Sequence, residues 1–487
     1  MATNIKQHPL FPFFPVGQDV IFTLSNNPIV TNVLYTRVKF VAEVHISDST
    51  EVNLSNNNDV VGTFKTTPNN AARGMFNFRP IIENFVKTDN MALATSSYKT
   101  DVNTDLRTPL HLIDKYSGNN NSFRYFGVQF SVEYFDNDVD SNDYDTLVRR
   151  DFKNSDIYNI FNGYLKYNDQ LTLGAISGVN FGYDTNIFNL TDATTSFLTN
   201  APVTQYANIE DYGTTAILMI NPLTDINLSP LAPLGGTGSI RFDYYQANGS
   251  PISGTSFETI RLDDLNNGGF NYADRDFAYN MLVYAGVFPA NLRNHSTLFN
   301  ANIDDIAYYT YVAQTFTAAA AANISKTYTI NINCPTLKGY EPIRLTWLNQ
   351  WGAWDYYTFT MKSSKSTSTK GSTYRQLEGT WNESVYRTDG FKGGKKSFRV
   401  NATENITMNT DFVSESDSEW FEELINSPEV YILDGFKTDI TNSALNNYIT
   451  PVRLTTSRYT KKTVANDKLM QYTFEVVKTK TLRTQSV

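Results

Sequence analysis

Only one cysteine, Cys334, occurs among the 487 residues. No intrachain disulfide and no thiolate metal cluster can form from it, and it reads as a small buried hydrophobe. Histidine is almost as scarce: His8, His45, His111 and His295 lie far apart. There is no His-Glu-x-x-His pattern, so a zinc-hydrolase site is not indicated and little material exists for a catalytic triad. No nucleophile elbow, phosphate loop or dinucleotide fingerprint occurs in a strand–turn–helix context. No apolar run approaches the roughly 18 residues of a membrane-spanning helix. The start, Met1 to Pro9, carries no basic stretch followed by an apolar one, as a secretory signal would. These absences predict a chain that is not an enzyme, needs no cofactor or metal, and stays in a cytosol unless it leaves inside a particle.

Charge is also sparse. Charged residues make up 18% of the chain and the net charge is −9, which speaks against general nucleic-acid binding. The charge is uneven. Residues 331–487 hold 20 Lys and Arg against 17 Asp and Glu, while residues 1–330 hold 20 against 32. One reading is electrostatic complementarity between neighbouring subunits. The other is ordinary solvation.

What the chain does have is aromatic residues, 14% of the total, with 30 Tyr and 32 Phe. Tyr, Phe and Thr suit pleated, half-buried surfaces, and Asn suits turns. The expected class is mainly β: several β-sandwich or Ig-like domains with few short helices. Val38-Lys-Phe-Val-Ala-Glu-Val-His-Ile46 alternates with period two, as a strand with one buried face does. Phe78 to Val86 reads as a short helix with Pro80 in its first turn, and Asp156 to Phe161 as another. Val128–Tyr134, Ser239–Tyr245, Tyr328–Ile332, Ile343–Leu348, Tyr356–Met361 and Gln471–Val477 read as strands. Asn248-Gly249 reads as a hairpin turn. Ala318 to Ala322 is a helical turn or a small-residue contact. Ser416-Asp-Ser-Glu419 reads as a capping box opening a helix near 417–427, which Pro428 stops. The expected domains are 1–90, β-sandwich-like; 91–330, β-rich; and 331–487, a β domain with the capped helix.

Candidate sites are few. The Pro9-Leu-Phe-Pro-Phe-Phe-Pro15 arm cannot be helical. Its Phe11, Phe13 and Phe14 must pack on this chain or on a neighbour. Trp347, Trp351 and Trp354 cluster beside Tyr356 and Tyr357. Trp351, Trp354 and Tyr356 are either core or interface residues, or an exposed platform for a glycan. The run Asp136 to Asp145 begins like a calcium loop at Asp136, Asp138 and Asp140, but Ser141 and Leu147 stand where Gly and Glu belong. A solvated acidic turn fits better. The segment 362–375 is rich in Ser, Thr and Lys, as an exposed loop or long hairpin tip would be. Its Lys362, Lys365 and Lys370, with Lys392, Lys395 and Lys396, are solvated or face phosphates or an acidic neighbour.

Three stretches resemble virion proteins of phages infecting Bacteroidetes-type bacteria, including crAss-like phages. The first comprises Asn27-Pro-Ile-Val30, Val38–Val44 and Gly74-Met-Phe-Asn-Phe-Arg-Pro-Ile-Ile-Glu-Asn-Phe85. The second is Ile343-Arg-Leu-Thr-Trp-Leu-Asn-Gln-Trp-Gly-Ala-Trp-Asp-Tyr-Tyr-Thr-Phe359. The third comprises Trp420 to Tyr431, Pro451-Val-Arg-Leu454 and Lys468 to Phe474. Residues 91–330 carry no such likeness. The resemblance implies a bacteriophage virion structural protein, a tail, connector-ring or baseplate subunit. Its partners would be copies of itself and other virion proteins, with assembly in the host cytoplasm. It carries no catalytic residue to transfer. The alternatives are a fibre or adhesin that binds a host-surface glycan, and a polysaccharide depolymerase with two facing carboxylates. The Pro9–Pro15 arm and the 362–400 loops are the candidate interface elements.

Overall fold

Aromatic and β-branched residues in short runs between Asn- and Gly-rich turns produce a mostly β chain, 49% strand and 10% helix with five short α-helices among the described residues. The computed structural model describes residues 3–9, 13–47, 52, 54, 59–92, 108–119, 121–166, 193–219, 237–261, 281–315, 322–333, 339–388, 390–437, 447–456, 458–460, 469–480 and 482–483. Phe11, Cys334 and the alanines 318–321 lie outside the described residues. The chain forms two compact units. One comprises Met1–Ile332 with Leu348–Asp355, and the other Asn333–Trp347, Tyr356–Lys437 and Ser443–Val487.

In the first unit, β1 (Asn4–Gln7), β3 (Ile21–Ser25) and β6 (Arg73–Asn77) form one antiparallel sheet. A second sheet runs β2 (Phe13–Pro15), β10 (Tyr158–Phe161), β8 (Phe123–Asp136), β4 (Tyr35–Ser47) and β5 (Val60–Thr66), with β9 (Thr146–Asn154) also paired to β8. The two layers meet through rings. Phe22 on β3 lies 5.4 Å from Phe130 and 6.0 Å from Tyr158, and Phe76 on β6 lies 6.1 Å from Phe130. Phe78, next to helix α1's successor α2 (Arg79–Ile82; α1 is Asn27–Val30), stacks on Phe76 at 5.6 Å. Each such pair adds about 0.5–1.5 kcal/mol beyond its buried area. The layers are therefore a β-sandwich. Because β4 pairs with β8 from Tyr35↔Asp136 to Ser47↔Tyr125, this sheet runs straight across residue 90, the expected end of an N-terminal domain.

Two local expectations change here. On β4, Val41 and His45 are buried as well as Phe40, Ala42 and Val44. The strand is central, and Leu54 and Val52 pack with Tyr125 against the sheet. One buried face was too few. The stretch Asp156–Phe161 is not a helix. Its residues 158–161 form β10, antiparallel to β8 and parallel to β2, and all four are buried. An aromatic and β-branched run offered edges on both sides becomes a strand whatever its helical spacing.

A second pair of sheets completes this unit. One runs β11 (Thr204–Asn208), β17 (Tyr328–Asn333), β16 (Tyr308–Thr315), β13 (Thr237–Tyr245), β14 (Phe257–Arg261). The other runs β12 (Thr214–Met219), β15 (Met281–Gly286), β7 (Tyr116–Asn119). The Tyr309 hydroxyl donates to the Val287 carbonyl at 2.7 Å, linking β16 to the residue just past β15. Helices α3 (Pro289–His295) and α4 (Thr297–Ala301) follow, and Phe299 packs on Tyr244 and Tyr309. The turn at Asn248-Gly249 forms as expected, with Gly249 at φ +82°.

The second unit is built on an eight-stranded sheet: β19 (Trp354–Phe359), β18 (Ile343–Leu348), β23 (Val430–Leu433), β24 (Ile449–Leu454), β26 (Thr473–Lys478), β21 (Gly394–Asn409), β20 (Ser364–Gln376), with β27 (Leu482–Arg483) also on β21. Helix α5 (Glu415–Asn426) follows β22 (Val413–Ser414), which pairs with β25 (Leu469–Met470). Trp420 and Phe421 of α5 cover the sheet. Trp420 lies 5.0 Å from Trp347 and Phe421 4.9 Å from Tyr357 and 5.6 Å from Phe474. The capping box sits two residues earlier than expected. Ser414 is the N-cap, and its amide donates to Asp417 at 2.9 Å. Ser414-x-x-Asp417 and Ser416-x-x-Glu419 are overlapping forms of one signature. The β22–β25 pairing ends at Ser414↔Leu469 and so selects the first.

Candidate functional site

The sequence pointed to two aromatic groups, and their described members are internal. Phe13 and Phe14 on β2 are buried in this chain: Phe13 meets Phe123 at 5.8 Å, and Phe14 meets Tyr158 at 5.5 Å. Trp351, Trp354 and Tyr356 are buried too. Trp354 donates its indole N–H to the Asp89 carbonyl at 2.9 Å and stands edge-on to His111. The Trp351 amide donates to Asn349 at 3.0 Å. Tyr356 lies under the Arg344 guanidinium, 5.3 Å from its ring centre. These residues are core, and none presents a platform for a glycan or a neighbour. The sequence had no means to tell a buried Trp cluster from an exposed one, since both use the same residues.

The Asp136–Asp145 run is a tight turn between β8 and β9. The Asp136 carboxylate accepts from the Asp138 amide at 2.9 Å and the Ser141 hydroxyl at 2.8 Å, and Asp138 accepts from the Asp140 amide at 3.1 Å. These carboxylates close the turn. No cluster of His, Cys, Asp or Glu that could hold a metal occurs among the described residues. None of their helices is long and apolar enough to cross a membrane.

The exposed chemistry lies elsewhere, on the β20–β21 hairpin of the second unit. The segment expected as an exposed loop or long hairpin tip is a strand, paired with β21 from Ser364↔Thr407 to Gln376↔Gly394. At its root the hairpin is anchored. β21 pairs with β26 from Asn405 to Asn409 and with β27 at Asn401 and Ala402. Lys365 bonds Glu341 at 2.8 Å and Lys478 bonds Glu404 at 3.1 Å. Burial holds the nearby Asp434 carboxyl above its usual range, against the pull of Lys478 and Lys365. Beyond Asn401 no third strand is paired among the described residues. Six residues of β20 run on with β21 as the one described partner, roughly 20 Å at the rise of an extended chain.

That free ribbon has no buried face. Every residue from Ser364 to Thr373 is exposed. A bare two-stranded ribbon is marginal in water, and its composition answers the risks of an open edge. β20 carries Lys365, Lys370 and Arg375 and only one aromatic, Tyr374, which discourages strand addition along the edge. Phe398 is the extra residue of a bulge between Ser372↔Arg399 and Thr373↔Ser397, where local twist increases. It meets Tyr374 edge-on at 6.3 Å.

The tip, residues 377–393, is held together by bonds among its described residues. The Thr380 hydroxyl donates to the Val385 carbonyl at 2.9 Å and accepts from the Arg387 amide at 2.9 Å. The Trp381 indole donates to the Glu378 carbonyl at 2.6 Å and stands against Tyr386 at 5.6 Å. Yet the side chains face water: Phe391 is 78% exposed, Leu377 67%, Trp381 66%, Val385 59%, Phe398 55% and Tyr386 54%. Large exposed apolar groups gathered on one short element mark a contact surface. They are interleaved with cations. Residues 364–409 hold eight Lys and Arg against four Asp and Glu, in a chain of net charge −9.

The 362–400 region was expected to be an interface element, but these aromatics were not singled out. A signal existed. Leu377, Trp381, Val385, Tyr386, Phe391 and Phe398 follow neither the period of a strand nor that of a helix, and they stand among Gly, Asn and charged residues. The chain matches no known protein-family profile, and no curated protein resembles it significantly in sequence.

Proposed function

We propose that the chain is a structural subunit of a bacteriophage virion, of a tail, connector ring or baseplate, and that the β20–β21 hairpin is its assembly arm. Copies of the chain and other virion proteins are the partners, and assembly takes place in the host cytoplasm. The observation that carries the reading is the hairpin itself: a ribbon guarded along its edge and adhesive at its end, with five large apolar side chains of the tip and Phe398 of β21 in water. An isolated monomer gains nothing from such an element, whereas a subunit buries it on a neighbour. The phage context rests on the likeness of Ile343–Phe359 and the other quoted stretches to virion proteins.

The test has two parts. The chain should be found by mass spectrometry in purified phage particles. In sedimentation velocity the purified chain should form concentration-dependent oligomers, and replacing residues 377–393 with Asn-Gly should leave monomers with unchanged circular dichroism. A stable monomer that is absent from particles would refute the reading.

One observation favours a second reading, a fibre or adhesin binding a host-surface glycan. The exposed Trp381–Tyr386 pair has the chemistry of a sugar platform. A glycan array on the wild-type chain and on Trp381→Ser separates the two, since signal lost in the variant would support the fibre.

A further inference from the structure

Two exposed apolar patches in this chain carry opposite charge. The first is the end of the hairpin, residues 375–399, where six Lys and Arg outnumber three Asp and Glu, with Lys395, Lys396 and Arg399 exposed on the strand that leaves the tip. The second lies on the first unit, at the β8–β9 turn. Five Asp and no Lys or Arg occupy residues 136–145. Among them Val139 is 72% and Tyr144 51% exposed, and Leu147 at the start of β9 is 61% exposed. The turn before β4 joins the same place: the Asn137 amide donates to the Leu34 carbonyl at 3.0 Å, and Val33 is 90% exposed. This turn is held by the carboxylate bonds of Asp136 and Asp138 and by the ion pair of Arg150 with Asp143.

From this we infer that the aromatic tip of one copy, with the basic strand beside it, docks on the acidic apolar turn at residues 33–34 and 136–147 of a second copy. The inference rests on the hairpin being an assembly arm and names what receives it. Charge is the argument for the occupant. The tip buries aromatic side chains against Val33, Val139, Tyr144 and Leu147 while its cations meet Asp138, Asp140 and Asp145. Opposite fields on two patches select this pairing over tip-to-tip or turn-to-turn contact, where like charges meet. Because the patches differ, the contact is heterologous. Repeated around an axis it closes a ring, and without closure it runs on as a filament.

The test uses two variants of the full chain. The arm variant is Lys395→Glu, Lys396→Glu and Arg399→Glu. The turn variant is Asp138→Asn, Asp140→Lys and Asp145→Asn. Asn keeps the turn bonds at 138 and suits residue 145, which has φ +56°. Sedimentation of each alone should show self-association weakened by at least about tenfold at low salt. Mixed one to one, they should form dimers and nothing larger, because the intact arm of the turn variant meets the intact turn of the arm variant. That dimer also proves both variants folded. Association lost in the arm variant but unchanged in the turn variant would overturn the inference and leave the assembly-arm reading standing. Association unchanged in both variants would overturn the inference, and a wild-type chain that stays monomeric would overturn it together with the assembly-arm reading.

Discussion

Gly352 adopts φ +74° in the connection between β18 and β19, and a Cβ there would run into the Asn162 carbonyl oxygen. Gly352→Ala should therefore destabilise the fold by about 2–4 kcal/mol, adding left-handed backbone strain to overpacking. Gly254→Ala, at φ +82° with open space around it, should cost only about 1–2 kcal/mol. Urea unfolding followed by tryptophan fluorescence compares the two. A second residue-scale test is His45. It is buried, and neither ring nitrogen finds a hydrogen-bond partner among the described residues. Burial pushes its imidazole below the ordinary 6.5, against the opposing pull of Glu43 and Asp59. A lowered folded value means that His45 favours the folded state fully above the ordinary value, and that this stability is lost as pH falls through it. The urea midpoint should drop between pH ~7.5 and ~5.5 in the wild type and drop less in His45→Leu. At this scale the sequence revealed identity but not environment. Trp351 and Trp354 were visible as a cluster, yet whether they are buried depends on Asp89, His111 and Asn349, which are far away in sequence or unremarkable in pattern.

At the scale of elements, alternation and turn chemistry located β4, β8, β13 and β26 well, because each is a long run whose pattern suits a pleated strand. Failures occurred where neighbours decide. β10 was misread because its two flanking strands, β2 and β8, are distant in sequence. Helix α5 was legible from its apolar face and Pro428, while its cap shifted by two residues because two Ser-x-x-acid signatures overlap. Ser414→Ala should cost about 1 kcal/mol, and Ser416→Ala much less. Thermal unfolding followed by far-ultraviolet circular dichroism ranks them, and equal losses would count against Ser414 as the cap.

For the molecule as a whole, composition conveyed the β class and the uneven charge, and the structure attaches that charge to places. The excess of cations in residues 331–487 is concentrated on the β20–β21 hairpin, and the excess of acid in residues 1–330 includes the β8–β9 turn. What the sequence could not convey is that, among the described residues, the hairpin leaves its sheet after Asn401. That follows from where β26 and β27 stop pairing, not from any property of β20. The tip of this hairpin is the proposed contact surface. The most direct measurement is sedimentation equilibrium of the full chain beside a variant with Trp381, Phe391 and Phe398 changed to Ser, both at several concentrations. Oligomers in the wild type and monomers of unchanged fold in the variant are the predicted result. The same oligomers in both, or a wild-type monomer throughout, would contradict it.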